Sequence, residues 1–384
     1  MRGPFLLLGL AAAVATADLS QFALQKVLQN GREVFGDTTS DSNASSSPYK
    51  NWMSSIPDST PLSQLNIPGL HDPVTWNYTQ ATQDALSYAT RCDGVTPQAP
   101  RVYRCQRRGI THALDAGVRF FDLRFALDPL DRDLVFWHGP ALVSAQATVP
   151  DVLFAFFDWL DRHPTEVVLL SFQYEGGTKA DASFDARAQE LLFNALTQGP
   201  ARAYVGRGVG RLGTLGENRG KIVLLRRFDM QEQAYEDALP GLHLSPAQWP
   251  DNEPDGFALV YNETTNATAF VEDYYEPVGL AANSSVPENV AAKVDAVRTH
   301  LRKAAAGDAD GLFITFASGE HNVNDPPVFP ETMALGNGTE VTPDGGVNHQ
   351  LASILRGMCG SRLGVVVLDF FDEPMDLVGL ILGI

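Results

Sequence analysis

Short apolar runs alternate with longer stretches of helical periodicity along most of the chain after Pro61. The runs predicted as strands are "LSQLNIP", "GVRFFDLRF", "LVFWHG", "EVVLLSFQY", "KIVLLRRFD", "GFALVY", "GLFITFAS" and "GVVVLDFF". The stretches predicted as helices are "PDVLFAFFDWLDRH", "DASFDARAQELLFNALTQ", "VPENVAAKVDAVRTHLRKAAA" and "VNHQLASILRGM", together with residues 100–116. Strands that are apolar throughout are typical of a parallel sheet covered on both faces.

About eight strand-helix units indicate an α/β fold, a (βα)8 barrel of the TIM type. We expect the barrel to be irregular or incompletely closed and to form a single catalytic domain over residues 61–384. A doubly wound open sheet is the alternative. No Gly-rich nucleotide fingerprint opens any of the predicted helices, which favours the barrel.

The N-terminus has the pattern of a secretory signal peptide over residues 1–17. Arg2 precedes an apolar run, and Ala15-Thr-Ala17 forms a cleavage site. Residues 18–60 are predicted as a lead-in that is partly flexible, because residues 38–48 are polar and low in complexity. Asn-x-Ser/Thr sequons occur at Asn43, Asn77, Asn262, Asn266, Asn283 and Asn337. Together these features predict a secreted glycoprotein.

The chain is acidic, with a formal net charge of −18, and removal of residues 1–17 takes Arg2 away and leaves −19. This charge argues against nucleic acid as a partner, and it repels anionic membranes at long range. No stretch after the signal peptide is long and apolar enough for a predicted transmembrane segment. An oxidising compartment favours an intrachain disulfide between Cys92 and Cys105, whereas Cys359 is predicted to lie in the core.

Polar residues close nearly every predicted strand, where the chemistry of a barrel is located. They are His71, Asp72, Asp122, Arg124, His138, Glu175, Arg227, Asp229, Asp369 and Asp372, with His321 as a weaker candidate. Each alone has an ordinary reading as an ion pair, a turn residue or a helix cap. Their joint position at one rim predicts a site.

Six motifs follow one another in an order that resembles a known family. They are "IPGLHD", "AGVRFFDLRF", "VFWHGP", "HPTEVVLLSFQYE", "RGKIVLLRRF" and "VVVLDFF". In this order they resemble the X domain of phosphatidylinositol-specific phospholipase C, over residues 60 to the end. The segments "WPDN" and "VEDYY" are similar to the bacterial, single-domain branch of that family.

The resemblance implies a role for five catalytic residues. His71 corresponds to the general base that deprotonates the inositol 2-hydroxyl, and Asp369 to the carboxylate that orients it. His138 corresponds to the general acid on the leaving glycerol oxygen, with Asp72 as its support. Arg124 corresponds to the cation on the phosphate.

The resemblance also bears on substrate and metal. It implies substrate-binding residues at Arg227, Asp273 and Tyr275, and we place Asp122 and Glu175, which close predicted strands, in the same group. The calcium-dependent branch carries a carboxylate where this chain has Arg124, so we expect neither a catalytic metal nor another cofactor. Three departures from the family pattern are Leu70 before the histidine, Pro73 after the aspartate, and Gln173 where bacterial members carry a nearby lysine.

The leading hypothesis is a secreted, monomeric phosphodiesterase that acts on phosphatidylinositol or a GPI anchor at a membrane surface. Intramolecular transesterification would release diacylglycerol and an inositol cyclic phosphate. One alternative is the same chemistry on another phosphodiester lipid or a glycerophosphodiester. The other is a catalytically weak barrel that serves as a binding or cell-surface module.

Overall fold

The computed structural model describes residues 5–37, 47–89, 94–277, 279–281, 283–337, 342 and 344–384, with residues 5–18 as backbone only. The strands are β1 (Ile67–Leu70), β2 (Phe120–Leu127), β3 (Leu134–His138), β4 (Ala141–Leu142), β5 (Val167–Tyr174), β6 (Lys221–Arg227), β7 (Leu242–His243), β8 (Phe257–Asn262), β9 (Ala267–Glu272), β10 (Leu312–Phe316) and β11 (Val365–Leu368).

The helices lie mostly between these strands. They are α1 (Phe5–Phe35), α2 (Gln80–Ala85), α3 (Ile110–Ala116), α4 (Val149–Arg162), α5 (Ala186–Thr197), α6 (Ala201–Tyr204), α7 (Leu215–Asn218), α8 (Gln233–Ala238), α9 (Val286–Ala306), α10 (Pro330–Leu335), α11 (Val347–Arg356) and α12 (Leu377–Leu382). Capping boxes at Thr148 and Ser285 begin α4 and α9 by satisfying free N–H groups of the first turn. Among the described helices, none combines the length and hydropathy that a bilayer crossing requires.

The strands form a barrel-shaped sheet in the order β7-β6-β5-β2-β1-β11-β10-β9-β8. The first eight strands in this order are parallel, and β8 runs antiparallel to β9. Within the described residues no pairing joins β7 to β8, so the barrel is nearly but not completely closed. The predicted TIM-type barrel is therefore confirmed.

Three of the predicted strands take other roles. "LVFWHG" forms β3, which pairs antiparallel with β2 outside the barrel path, and "GFALVY" forms the antiparallel β8. "LSQLNIP" begins with a 3-10 turn, and β1 starts only at Ile67. The strands β7 and β9 were not predicted; together with β1 and the other parallel strands they complete the set of eight.

Side chains on the barrel strands alternate between two cores. The interior is filled by Ile67, Phe120, Leu169, Val223, Val271, Ile314 and Val365. The outer core against the helices includes Leu70, Phe121, Leu123, Leu170, Leu224 and Val366. The close approach of β1 to β2 requires Gly69, because a Cβ there would lie 2.8 Å from the Phe120 ring.

Part of the predicted lead-in is packed against the barrel. The rings of Phe35 and Phe156 meet edge to face with centroids 4.8 Å apart, and Met53 is fully buried. Trp52 Nε1 donates to Gly117 O at 3.0 Å. The folded unit therefore extends N-terminal to residue 61. Residues 38–46, most of the segment predicted to be flexible, lie outside the described residues.

Candidate active site

The site begins where β1 ends, at the neighbouring residues His71 and Asp72. On a regular strand two neighbours point to opposite faces. Here Asp72 adopts a left-handed conformation with φ 38° and ψ 54°, and His71 Nε2 lies 3.1 Å from Asp72 Oδ2. Gln106 Nε2 donates to His71 O and Leu368 O, and so ties the ends of β1 and β11 together.

His71 lies between a carboxylate and a guanidinium. Its Nδ1 is 2.9 Å from Asp369 Oδ1, and its Nε2 is 2.9 Å from Arg124 Nη2. Because a guanidinium only donates, Nε2 accepts from Arg124 and Nδ1–H donates to Asp369, which is the tautomer of a general base. Burial lowers the pKa of His71, but the charges of Asp72 and Asp369 outweigh it and raise the pKa well above the usual value.

Asp72 is fully buried, yet neither carboxylate oxygen has a hydrogen-bond partner among the described residues. Besides His71, it lies 3.3 Å from His138 Nδ1 and 3.5 Å from Arg124 Nε. Burial raises the pKa of Asp72, but the charge of Arg124 and the two nearby imidazoles outweigh burial and hold this pKa well below its usual range. Asp72 therefore stays ionised and links the two histidines electrostatically.

His138 lies at the end of β3 and faces His71, with ring centroids 6.0 Å apart and planes at 84°. Its Nδ1 is 2.9 Å from Tyr103 O. The backbone carbonyl can only accept, so it fixes the proton on Nδ1 and leaves Nε2 as the atom that exchanges a proton with a substrate. The two imidazoles are thus separate acid-base groups at one site.

A row of polar side chains crosses three adjacent strands. In the parallel register Arg124 on β2 is opposite Gln173 on β5, which is opposite Arg227 on β6. Asp122 lies one layer deeper and is fully buried, 3.6 Å from Arg124 Nε and 3.4 Å from Arg227 Nη1. Asp122 was predicted to bind substrate; the structure places it as the support that positions both guanidinium groups.

Aromatic and acidic residues close the far side. The guanidinium of Arg227 stacks 3.7 Å from the centroid of the Trp249 ring, and Trp249 Nε1 donates to Asp273 Oδ2 at 2.9 Å. Tyr275 OH donates to Asp251 Oδ1 at 2.8 Å. These contacts fix the positions of the Trp249 ring and of the Asp251 and Asp273 carboxylates in one wall of the site.

These groups surround a cavity of about 880 Å³. Of the predicted residues, those that line it are His71, Arg124, His138, Glu175, Arg227, Asp229, Asp273, Tyr275 and Asp369. Asp72 and Asp122 do not line the cavity, because both are fully buried beneath residues that do. Asp372 instead pairs with Arg108 at 3.4 Å, and His321 is buried against Asn289, so neither belongs to the cavity.

Sequence reasoning missed several lining residues on long loops, including Tyr103, Trp249 and Glu320. Trp249 belongs to the "WPDN" segment noted above, which was a usable signal; nothing in the sequence marked the other two. Burial raises the pKa of Glu320 to about 7; the backbone N–H of Asn322 opposes this shift, and the charges of Glu276 and Asp369 add to it.

Cys105 bears on both the disulfide and the metal. It is a free, buried thiol 3.5 Å from Tyr103 O, which does not support the predicted disulfide with Cys92, a residue outside the described part of the chain. Cys359 is exposed, so its predicted place in the core was wrong. Burial raises the pKa of Cys105 to about 12. His71, Asp72 and Cys105 offer ligand atoms within 4.8 Å of one another. A divalent cation fits poorly there, because the Arg124 guanidinium already contacts His71 and approaches Asp72.

Comparisons with known proteins show which family the chain resembles. Residues 98–228 match the model of the phosphatidylinositol-specific phospholipase C X domain. A human PI-PLC X domain-containing protein 1 is 32% identical over 145 residues, which are 34% of this chain and 44% of the relative. A Listeria monocytogenes 1-phosphatidylinositol phosphodiesterase is 30% identical over 46% of this chain and 48% of the relative. The match thus spans under half the length of both relatives.

Longer matches come from Staphylococcus aureus. Its 1-phosphatidylinositol phosphodiesterase is 27% identical over 330 residues, 84% of this chain and 88% of the relative. The solved structure of a mutant phosphatidylinositol-specific phospholipase C from that organism covers 87% of this chain and 97% of its own, with a TM-score of 0.65 and 21% identity. Residues 98–228 therefore match the phosphatidylinositol-specific phospholipase C X domain, and most of the chain is similar to a bacterial 1-phosphatidylinositol phosphodiesterase and shares the fold of a phosphatidylinositol-specific phospholipase C.

Proposed function

We propose that the protein cleaves the phosphodiester of phosphatidylinositol, or of a GPI anchor, by intramolecular transesterification. The inositol 2-hydroxyl oxygen attacks phosphorus, the bond from phosphorus to the glycerol oxygen breaks, and the products are diacylglycerol and an inositol cyclic phosphate. The nucleophile belongs to the substrate, so no covalent enzyme intermediate is required. The observation that carries the proposal is the arrangement around Asp72. The rings of His71 and His138 face each other, and Arg124 and His138 both lie close to the buried Asp72 carboxylate.

On the attacking side, His71 Nε2 takes the proton of the 2-hydroxyl, and Asp369 orients the ring through Nδ1. In the free protein Arg124 donates to this same Nε2. A bound phosphate carries negative charge and draws the guanidinium to its non-bridging oxygens, which frees Nε2 as the base. Substrate binding and activation of the base are thereby linked through one side chain.

On the leaving side, the protonated His138 gives its proton to the glycerol oxygen as the bond to phosphorus breaks. The carboxylate of Asp72 lies 3.3 Å from His138 Nδ1, on the side of the ring away from the Nε2 that faces the substrate. His71 and His138 thus divide the roles of base and acid. The substrate phosphate occupies the space before both rings.

An unphosphorylated inositol ring suits the remaining wall. Gln173 Oε1 and Glu175 Oε2 are buried acceptors without a partner among the described residues, and they can accept from ring hydroxyls. Arg227, Asp273 and Tyr275 supply further polar contacts, with Trp249 as a flat surface. No lysine is among the described lining residues, and the Arg227 guanidinium already lies beside Asp122 and Asp273, so extra phosphates on the ring would find no free cation at this wall.

A phosphorus NMR time course tests the proposal. Purified protein is mixed with phosphatidylinositol vesicles, with and without a strong chelator, and with His71→Ala as the control. We expect the signal of a five-membered cyclic phosphate under both conditions, and a loss of about 10²–10⁴-fold in the variant. Faster turnover of phosphatidylcholine or a glycerophosphodiester would reject the inositol substrate, and no turnover of any phosphodiester would favour a binding module.

We also propose that the protein is secreted as a monomeric glycoprotein after removal of residues 1–17. The sequon residues Asn266 and Asn283 are both exposed on loops, as glycosylation requires. N-terminal sequencing of the protein collected from culture medium, and its mass before and after glycosidase treatment, test this proposal. A chain that begins at Met1 and shows no mass change contradicts it.

A further inference from the structure

One wall of the candidate active site is formed by residues that continue past the paired part of β9. The strand pairs with β10 as far as Glu272, which is opposite Thr315. Asp273 and Tyr275 line the cavity, whereas Glu272 and Tyr274 are buried on the side of helix α9. Residues 272–275 thus keep the alternation of a strand, although within the described residues no strand pairing holds the last three.

A buried lysine on α9 holds this segment from behind. Lys293 is fully buried, and its Nζ donates to Glu272 Oε1 and to Tyr274 O, both at 2.8 Å. Glu272 Oε1 also accepts from Tyr274 N at 3.1 Å. These three bonds tie together the residues on both sides of Asp273, so its backbone is fixed while its side chain lines the cavity.

A lysine at this depth is unusual, because the ammonium group loses its hydration and needs a partner. An apolar pair of similar volume often stabilises a fold as well as a buried ion pair does. An apolar side chain could not bond to Glu272 and to the backbone carbonyl of Tyr274 at once. We therefore explain the Lys293–Glu272 pair by the position that it gives to residues 272–274.

The position of Asp273 in turn determines that of its neighbours in the wall. Asp273 Oδ2 accepts from Trp249 Nε1 at 2.9 Å and lies 3.8 Å from Arg227 Nη2. The Trp249 ring lies against the same guanidinium. A displacement of Asp273 would therefore shift a ring and a cation that face the cavity. The hydrogen bonds and ion pairs of His71 and His138 go to other residues, so the acid-base groups would stay in place.

We propose that Lys293 is a positioning residue, which fixes Asp273 and, through it, Trp249 and Arg227 in the wall of the cavity. Its effect on the wall follows from these contacts, whereas its effect on substrate binding rests on the proposed function. Loss of the lysine should weaken binding of the substrate and leave the chemical step unchanged. This combination is measured as a rise in KM at constant kcat.

The test variant is the double change of Lys293→Met with Glu272→Gln. Lys293→Met alone leaves a buried carboxylate without its charged partner and can fail to fold. The double change removes both charges together, and the new amide can still accept from Tyr274 N. Leu301→Ala is the matched control, because it weakens the packing of α9 at a buried position about two turns away from Lys293. Circular dichroism shows whether each variant is folded.

The indole N–H of Trp249 reports the position of the wall without any activity. In proton–nitrogen correlation spectra this proton resonates at low field while it is bonded to the Asp273 carboxylate, and Trp249→Phe assigns the signal. We expect the signal to move upfield in the double variant and to stay in place in Leu301→Ala. With phosphatidylinositol we expect KM to rise about tenfold or more in the double variant, with kcat within about threefold of the wild type.

An unmoved Trp249 signal in the folded double variant overturns the proposal, and so does an equal movement in Leu301→Ala. A fall in kcat at constant KM overturns it too, because the lysine would then act on the chemical step. If the wild type does not turn over phosphatidylinositol, the proposed function fails, but the Trp249 signal still decides the role of Lys293.

Discussion

Two arginines, one directly before β2 and one within it, illustrate two ways in which a protein accommodates a buried charge. Arg119 directly precedes β2, is fully buried, and lies 4.7 Å over the Trp159 ring. It makes five hydrogen bonds, two to Glu166 Oε2 and one each to Leu114 O, Val118 O and Lys50 O. A guanidinium has five N–H donors, so every one is used. This arginine can accept no further partner.

Arg124 lies farther along β2 and, unlike Arg119, makes few hydrogen bonds. Its hydrogen bond goes from Nη2 to His71, and its Nε has no partner among the described residues. The neighbouring carboxylates of Asp72 and Asp122 also retain unpaired oxygens there. Unsatisfied buried polar groups lower stability and are found where function requires them. The difference indicates that Arg119 holds the fold together, whereas Arg124 is kept available for a substrate.

The largest expected effect is on stability, at Arg119. Arg119→Lys keeps the charge but has three donors in place of five, so at least two bonds to buried acceptors are lost. We expect the free energy of unfolding to fall by about 3 kcal/mol or more, from about 1.5 kcal/mol per lost charged hydrogen bond. Urea unfolding measures it, and activity per folded molecule should be unchanged. An unchanged urea midpoint would show that the bond network is dispensable.

The matched change at Arg124 should have the reverse outcome. Arg124→Lys keeps a positive charge near the phosphate but loses the planar fork, so we expect kcat/KM on phosphatidylinositol to fall by about 10²-fold or more. The free energy of unfolding should change far less than in Arg119→Lys, because Arg124 makes fewer bonds. If both variants lost mainly stability, the contrast between the two arginines would be wrong.

An effect that depends on the leaving group is expected at His138. His138→Ala should reduce cleavage of the lipid by about 10²–10⁴-fold, because glycerol leaves poorly unless its oxygen is protonated. An inositol phosphodiester with a nitrophenol leaving group needs little protonation and should lose much less. Steady-state rates of both substrates, with His71→Ala as the control that damages both, measure the selectivity. Equal losses for the two substrates would remove His138 from the role of general acid.

The sequence predicted the candidate site residues best where they lie at the ends of strands. His71, Arg124, Glu175, Arg227 and Asp369 follow or end predicted strands, and the carboxyl ends of parallel strands meet at one rim. The direction of two strands was not predictable, because "LVFWHG" and "GFALVY" are short apolar runs that resemble those of the parallel strands. For that reason β3 and β8 were counted among the parallel strands.

The sequence also did not predict how deeply each side chain is buried or which path the long loops take. Asp122 and Arg124 share one face of β2, but only the longer side chain reaches the cavity, and composition alone gives no measure of depth. Gln106, Trp249 and Glu320 come from long loops whose path depends on tertiary contacts. The left-handed turn at Asp72, which brings neighbouring side chains together, could not be predicted, because aspartate is enriched among non-glycine residues with positive φ but most aspartates have negative φ.

The smallest expected effect is a shift of the pH profile through Asp369. The general base must be neutral, so the acidic limb of kcat/KM follows deprotonation of His71 in the free protein. The charges of Asp72 and Asp369 raise the His71 pKa against the effect of burial. Asp369→Asn removes one of these charges, and the limb should therefore move to lower pH while the maximum rate falls. Glu320 also lines the cavity with a pKa of about 7, so Glu320→Gln is the matched control and should retain the limb. A limb that disappears in Glu320→Gln and stays in place in Asp369→Asn would assign the titration to Glu320 instead of His71.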